Sequence, residues 1–377
     1  MKYSIEIGKI VEGALKRDQT KVINYTKQLI AKLEQDNEER AASKFSKLLS
    51  DQSEVTLSAM GMKKDIAIPV DSESRTVLAD VIYPSENNND VILSKENKDN
   101  LETFILSYKN ADKLNSMGIG VSNTLLLYGP PGCGKTQCAY LIARELGLPL
   151  VIARLDSLIS SYLGTTAKNI RALFDFAQKM PCVLFLDEFD AIAKARDDSN
   201  ELGELKRVVN SLLQNVDAMS NDSLLIAATN HDKLLDSAVW RRFEYKLRIE
   251  LPDTNAIIEM IDLFTRKGHN LSDKEKFELA TALSGLSGAN VEEILVKAMR
   301  KAIIHERVVE KKDYYDEIFS FKGIIPQNCN CEKTLLSIKA NYLRSCSEKV
   351  FSYQVIANIL NISKTSVSKI VKEASDV

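Results

Sequence analysis

The chain lacks any long hydrophobic run: no segment approaches the roughly 18 uninterrupted apolar residues that a membrane-spanning helix needs. The opening stretch "MKYSIEIGKIVEGALKR" likewise has no continuous apolar core of the kind a secretory leader carries. Both absences predict a cytoplasmic protein with no membrane contact. A charge excess of one sign is missing too, with 50 Lys and Arg against 52 Asp and Glu. Global attraction to nucleic acid or to a membrane surface is therefore excluded, and any such preference has to be local. Cysteines are few: six in 377 residues do not make a disulfide framework. Cys329, Cys331 and Cys346 lack C-x-x-C pairs and a nearby histidine, and read as unpaired thiols rather than a metal cluster. No internal repeat of about 20 to 50 residues is evident, so a solenoid is not expected.

What is there is an ordinary globular composition, 45% hydrophobic and 27% charged, at a length that predicts two or three domains. From Ile10 to Leu49 the spacing is helical, with Val22, Leu29, Ile30 and Leu33 on one face and Ala41, Ala42, Phe45, Leu48 and Leu49 on another. Residues 1–55 are thus expected to form a small helical domain. Residues 56–89 are polar, contain proline and an asparagine run, and read as a linker or surface loop. Across 90–251 the apolar runs "NTLLLYG", "LPLVIARLD", "PCVLFLDEFD" and "SLLIAATN" alternate with helix-length segments, as parallel strands buried on both faces do. This predicts an α/β domain. Strand signals then fade, and 252–325 reads as a small all-helical domain, followed after "GIIPQNCNC" by a last helical block over 332–377.

One stretch carries chemistry. "YGPPGCGKTQCAYLIA", starting at Tyr128, fits G-x-x-x-x-G-K-[ST] with Gly129, Gly134, Lys135 and Thr136. Backbone N–H groups of such a loop close around phosphate oxygens only where side chains leave room, and the positive end of the following helix points at the same place. The expected ATP-binding run is Gly129, Pro130, Pro131, Gly132, Cys133, Gly134, Lys135, Thr136 and Gln137, with Lys135 on the β- and γ-phosphates and Thr136 ligating Mg²⁺. A strand-like run before it and a helix-like run after it set the stretch apart from a mere glycine turn. Further on, "CVLFLDEFD" ends an apolar strand in Asp187 and Glu188. Alone, such a pair is a solvated turn. Downstream of a phosphate loop, Asp187 is suited to hold Mg²⁺ and Glu188 to orient the water that attacks the γ-phosphate. A third strand ends at Asn230, whose amide can hold the same water, and Arg241 and Arg242 follow in a segment where arginines serve equally well in surface ion pairs.

In this order the motifs resemble those of the AAA ATPases in the narrow sense, over about Asp90 to Glu310. "GPPGCGKT" resembles Walker A, "LFLDEFDAI" Walker B, "AATN" sensor 1, "LDSAVWRRFEYKLRIELPD" the second region of homology, and "LSGANVEEI" the small-domain segment that lines the nucleotide. The resemblance implies a P-loop NTPase sheet domain with a small helical lid. It implies that Arg241 and Arg242 are arginine fingers serving a neighbour's site, so that a ring, usually a homo-hexamer, is needed for activity. Gly288 and Ala289 would approach the base or ribose, with Val91 or Ile92 over the adenine. "LDSLISSYLGTTAKNIRALFDFA" resembles the first pore loop, with Tyr162, Leu163 and Gly164 gripping a protein substrate drawn through the ring. The plain alternative is a Tyr–Leu core contact.

The C-terminal block complicates the choice of substrate. In "SYQVIANILNISKTSVSKIVKEA", Ile356, Ala357, Leu360, Ile362, Val367 and Ile370 fall at the spacing of a helix-turn-helix, with Asn361 at the turn where glycine is usual. Lys364, Thr365, Ser366, Ser368 and Lys369 would then face DNA, although residues 332–377 carry a charge of only +3, seven Lys or Arg against four Asp or Glu. A helical pair used for ring packing or protein docking fits the same spacing. The N-terminal helices are expected to recruit a partner protein. Three functions compete: an oligomeric ATPase that remodels or unfolds protein, tethered to DNA; a DNA-directed loader or transposition-type ATPase; and an ATP-dependent regulatory switch.

Overall fold

The computed structural model describes residues 3–15, 19–36, 38–50, 68–71, 74–84, 91–158, 163–193, 204–220, 223–265, 271–325 and 331–375. They divide into two compact units. The first comprises Met1–Asp90, Asp99–Gly129 and Lys135–Arg248; the second comprises Val91–Lys98, Pro130–Gly134 and Ile249–Val377.

The first unit is built on a six-stranded sheet of order β1-β3-β4-β5-β2-β6. Its strands are β1 (Ala79–Ile82), β2 (Thr124–Tyr128), β3 (Leu150–Ala153), β4 (Val183–Leu186), β5 (Leu224–Thr229) and β6 (Tyr245–Arg248). All neighbours run parallel except β1, which is antiparallel to β3. Every residue of β4 and β5 is buried, which is why these strands are unbroken apolar runs in the sequence. The edge strands signal more weakly. In β6 only Leu247 is buried, between exposed Lys246 and Arg248, and β1 falls within the stretch 56–89 that reads from sequence as a linker. A strand flanked by polar residues and covered on one face gives little hydrophobic signal, and pairing with β3 is what fixes it.

Register places the chemistry on one rim. Tyr128 lies opposite Thr229, and Leu186 opposite Ala227, so β2, β4 and β5 end at nearly the same level. The residues that follow them, from Gly129, Asp187 and Asn230 onward, therefore emerge at the carboxyl edge of the parallel sheet, where open α/β sheets bind ligands. Below that rim Leu126, Leu184, Leu225 and Ala227 pack with Phe174, Phe189 and Phe243 in one core.

Also in this unit are three N-terminal helices, Ser4–Leu15, Gln19–Gln35 and Glu39–Ser50, joined through Leu29, Ile30, Leu33 and Ala42. The first of them begins ahead of Ile10, where the sequence pattern starts. Its inward face carries a carboxylate, Glu6, which is buried and 2.6 Å from Lys32.

The second unit is helical: Thr254–Phe264, Asp273–Leu283, Gly288–Ile304, Lys311–Phe321, Glu332–Cys346, Tyr353–Leu360 and Lys364–Ser375. Helix starts are set by side-chain caps from Asp253, Ser272, Ser287 and Ser352, with Ser272 and Glu275 forming a reciprocal capping box. The two blocks read from sequence, 252–325 and 332–377, share a single core in which Ile257, Leu295, Tyr315 and Phe319 pack in one cluster with Leu343, Phe351 and Ile356. Among the described residues no helix is long and apolar enough to cross a membrane.

Candidate nucleotide site

The phosphate loop leaves β2 at Gly129 and enters the helix Lys135–Leu146. Gly129, Gly132 and Gly134 all have positive φ, at 139°, 72° and 92°, a backbone path that any side chain would strain. Without side chains at these positions the backbone leaves room for phosphate oxygens to approach the loop's N–H groups and the N-terminus of the following helix. Lys135 is buried, and its Nζ donates to Gly129 O at 2.8 Å. An ammonium group in that position is the counter-charge a triphosphate would take over. Pro131, Gly132 and Gln137 are exposed, and Cys133 is buried, its thiol donating to Pro131 O at 3.8 Å.

Thr136 and Asp187 meet. The Thr136 hydroxyl donates to Asp187 Oδ2 at 2.9 Å, joining the helix behind the loop to the end of β4. A hydroxyl and a carboxylate side by side are the oxygen donors Mg²⁺ accepts, and its other ligands would have to come from phosphate and water. Among the described residues no group of three or more His, Cys, Asp or Glu could hold an ion alone.

Glu188 is exposed and held in the left-handed region, φ 46°, one of five non-glycine residues with positive φ among those described. Such a conformation costs on the order of 1–2 kcal/mol for an L-residue. Its neighbours enforce it. Asp187 Oδ1 accepts from Glu188 N at 2.9 Å, and Phe189 N donates to Ala228 O of β5 at 2.8 Å. The strained residue is the carboxylate expected to handle water, and strain of this sort concentrates at functional positions. Asn230 follows β5 directly and is half-buried. The turn around it is set by Thr229, whose hydroxyl donates to Asp190 Oδ1 at 2.6 Å and accepts from His231 N at 2.9 Å. Sequence reasoning passed over Thr229 and Asp190, although "FD" after the acidic pair and "AT" before the asparagine were the available signals.

Arg241 and Arg242, adjacent in sequence, have different surroundings. Arg242 clamps onto Asp217, at the end of the helix Glu204–Asp217, with Nε to Oδ1 and Nη2 to Oδ2 both 3.2 Å, while Nη1 donates to Ala238 O at 3.3 Å. The hydrogen bonds to Asp217 push the Arg242 guanidinium further toward its charged form. Arg241 is exposed and makes no ion pair or side-chain hydrogen bond among the described residues. Asp217 was invisible to sequence reasoning, since nothing local links it to an arginine 25 positions on.

In the second unit a cavity of about 350 Å³ is lined by Ile92, Leu93, Cys133, Met260 and Gly288, among others. Ala289 N donates to Gly132 O at 3.0 Å, and a Cβ on Gly132 would meet Ser287 Oγ at 2.8 Å. Gly288, Ala289 and the loop segment Pro130–Gly134 are thus brought together, with Ile92 on the same cavity. Val91 sits beside the loop instead, 3.1 Å from where a Cβ on Gly134 would lie. Tyr162 lies outside the described residues; Leu163 and Gly164 open the helix Leu163–Lys179. Lys364, Thr365, Ser366, Ser368 and Lys369 lie on the helix Lys364–Ser375, far along the chain from this loop.

Comparison with known proteins points the same way. Residues 125–251 match the ATPase family associated with various cellular activities (AAA). The AAA family ATPase y4kL of Sinorhizobium fredii (strain NBRC 101917 / NGR234) is 46% identical over 234 residues, covering 62% of this chain and 70% of that protein. The proteasome-activating nucleotidase of Methanococcus maripaludis (strain C7 / ATCC BAA-1331) is 34% identical over 253 residues, covering 65% of this chain. The match spans 62% of the nucleotidase's own length. In fold, the chain is similar to the crystal structure of the FIGL-1 AAA domain in complex with ADP, with a TM-score of 0.54 and 23% identity over 69% of this chain and 90% of that one.

Proposed function

Since this chain belongs to the AAA family of ATPases, we propose that it assembles into a homo-hexameric ring, hydrolyses ATP with Mg²⁺ at the seams between copies, and uses the cycle to remodel or unfold protein in the cytoplasm. Lys135 and the loop amides bind the phosphates, Thr136 and Asp187 hold the metal, and Glu188 with Asn230 positions the attacking water. Mg²⁺ would supply charge neutralisation at the β- and γ-phosphates. The observation that carries the ring is Arg241, an exposed cation without an ion-pair partner among the described residues, immediately after the helix Ser237–Trp240 on the unit that bears Lys135 and Glu188. A transferring phosphoryl group in an adjacent copy is the anion it would meet.

Protein is the preferred substrate on two grounds: the Tyr162-Leu163-Gly164 sequence, whose last two residues open the helix Leu163–Lys179, and similarity to a proteasome-activating nucleotidase. Tyr162→Ala is expected to retain most ATP turnover while losing the unfolding of a tagged substrate, followed by loss of its fluorescence. Unfolding at the wild-type rate would remove the pore-loop role. The N-terminal helices serve as the docking site for a partner protein, and the C-terminal helix pair tethers the ring to DNA.

The Asp217 clamp makes a separate prediction. With Arg242 held by two bonds, Asp217→Ala frees a second guanidinium and loosens the segment 241–244. Turnover should fall about 10-fold with little change in KM, the mark of an interaction that matters in the transition state rather than in binding. Asp217→Glu should restore part of it. A change confined to KM would contradict the assignment.

A further inference from the structure

Charges in the C-terminal helices are sorted in a way the overall balance hides. Lys339 is spent on Asp316 at 2.7 Å, and Arg344 donates to the carbonyls of Glu348 and Phe351 and lies over the Tyr353 ring. By contrast, Lys349, Lys364, Lys369 and Lys372 are all exposed and have no ion-pair partner among the described residues. Residues 349–372 contain these four lysines and not one Asp or Glu. The acids of the block lie at the borders of this stretch and beyond it, with Glu348 just before it and Glu373, on the helix Lys364–Ser375, just after it.

The backbone that presents them is specific. The helix Tyr353–Leu360 ends on Asn361 in the left-handed conformation, φ 55° and ψ 45°, and Ile362 N returns to Ala357 O at 3.0 Å. Asparagine tolerates that geometry where most residues do not, so the turn forms without the usual glycine. Ser363 then caps the next helix, accepting from Ser366 N at 3.1 Å. Ile356, Ala357, Leu360 and Val367 are buried together, and the helix Glu332–Cys346 packs against both members of the pair through the same core. With Val367 inward, and Ile370 and Val371 half-buried beside it, the outward face of Lys364–Ser375 carries Thr365, Lys369 and Lys372 one helical turn apart, with Lys364 at its leading edge.

We propose that Glu332–Ser375 is a helix-turn-helix module that binds duplex DNA, seating Lys364–Ser375 in the major groove, with Thr365 and Lys369 toward the base edges and Lys349, Lys364 and Lys372 toward phosphates. This deepens the tethering role stated above and is independent of the ATPase cycle. The occupant is argued from charge and shape. A short helix carrying three lysines against the single Glu373, joined to its predecessor by a tight turn, fits a groove about 12 Å wide lined by anionic backbones. In a ring each copy contributes one weak module, so linked copies gain avidity on a single duplex.

The test uses the full chain, free of nucleotide, and fluorescence anisotropy with a labelled DNA duplex of mixed sequence, titrated with salt. Binding is expected, with a salt slope that falls by about 0.9 for each phosphate-contacting lysine removed. The variant Lys364→Gln, Lys369→Gln, Lys372→Gln should lose at least 10-fold in affinity while ATP turnover is unchanged, which also shows that it is folded. Three results overturn the proposal: no binding of duplex DNA by the wild type, equal binding by the triple variant, or equal affinity for an RNA duplex of the same length, whose deep, narrow major groove does not admit a helix. Binding of a protein instead of DNA through these lysines falls under the first. Loss of ring-dependent ATPase in a separate assay would count against the ATPase reading and leave this one standing.

Discussion

Arg241→Ala protein is expected to turn over ATP about 10³-fold or more slowly than wild type, the range that arginine fingers contribute, and to regain activity when mixed with Lys135→Ala protein that is itself inactive. The reasoning starts from geometry. Arg242 has its guanidinium occupied by the two oxygens of Asp217 and by a carbonyl, whereas Arg241 extends into solvent. An exposed cation with no ion pair among the described residues is available to stabilise charge elsewhere, and the phosphoryl group in transfer is where charge stabilisation has the greatest leverage on rate. If the finger acts across a seam, a mixed ring contains seams with an intact loop from the Arg241→Ala copy and an intact finger from the Lys135→Ala copy. Random assortment makes about a quarter of seams competent in an equal mixture of a head-to-tail ring. Turnover measured against mixing ratio should therefore rise to a maximum near equal amounts. A flat profile would mean that each chain completes its own site. Arg242→Ala should cost less than Arg241→Ala, because its main bond is internal. Dilution supplies an independent check, since an activity that needs neighbours falls with protein concentration.

How much of this was legible beforehand depended on how each feature is encoded. The four strands buried on both faces announced themselves as apolar runs, and the loop and acidic pair followed from where those runs stop. Strands β1 and β6 did not, because each lies at an edge and its pattern dissolves into alternating or polar residues. The two arginines looked interchangeable in "WRRFE". What separates them is a carboxylate on another helix, a tertiary fact that no local window contains. The helices Tyr353–Leu360 and Lys364–Ser375 with Asn361 at the turn between them were readable, since that spacing is dictated by local packing, while which lysines around them hold ion pairs was not. The boundary between the helical blocks at 325 and 332 had no counterpart in packing: composition marks the loop "GIIPQNCNC", and the core on either side of it is continuous.

Glu188→Gln separates binding from hydrolysis. The substitution keeps the side chain's size and leaves untouched the groups suited to hold nucleotide: Lys135, the Thr136–Asp187 pair at 2.9 Å, and the glycine-rich loop. What it removes is a carboxylate able to take a proton from, and orient, the attacking water, a role worth about 10²- to 10⁴-fold in rate. The variant should therefore bind a fluorescent ATP analogue with wild-type affinity, assemble, and hydrolyse ATP slower by that factor in a single-turnover assay. Asp187→Asn provides the contrast, because it weakens the metal site and should raise the Mg²⁺ concentration needed for half-maximal activity. The backbone supplies a second one. Glu188 holds φ 46°, enforced by the Asp187 carboxylate and by the Phe189 bond to β5. Glu188→Gly relieves about 1–2 kcal/mol of strain yet lacks the carboxylate, so it should be as slow as Glu188→Gln without being less stable. Were the glycine variant active, the residue would matter for the turn it makes and not for its charge, and the water-positioning role would pass to Asn230. Slow turnover in both variants, with nucleotide affinity intact, fixes the role on the carboxylate at the end of β4.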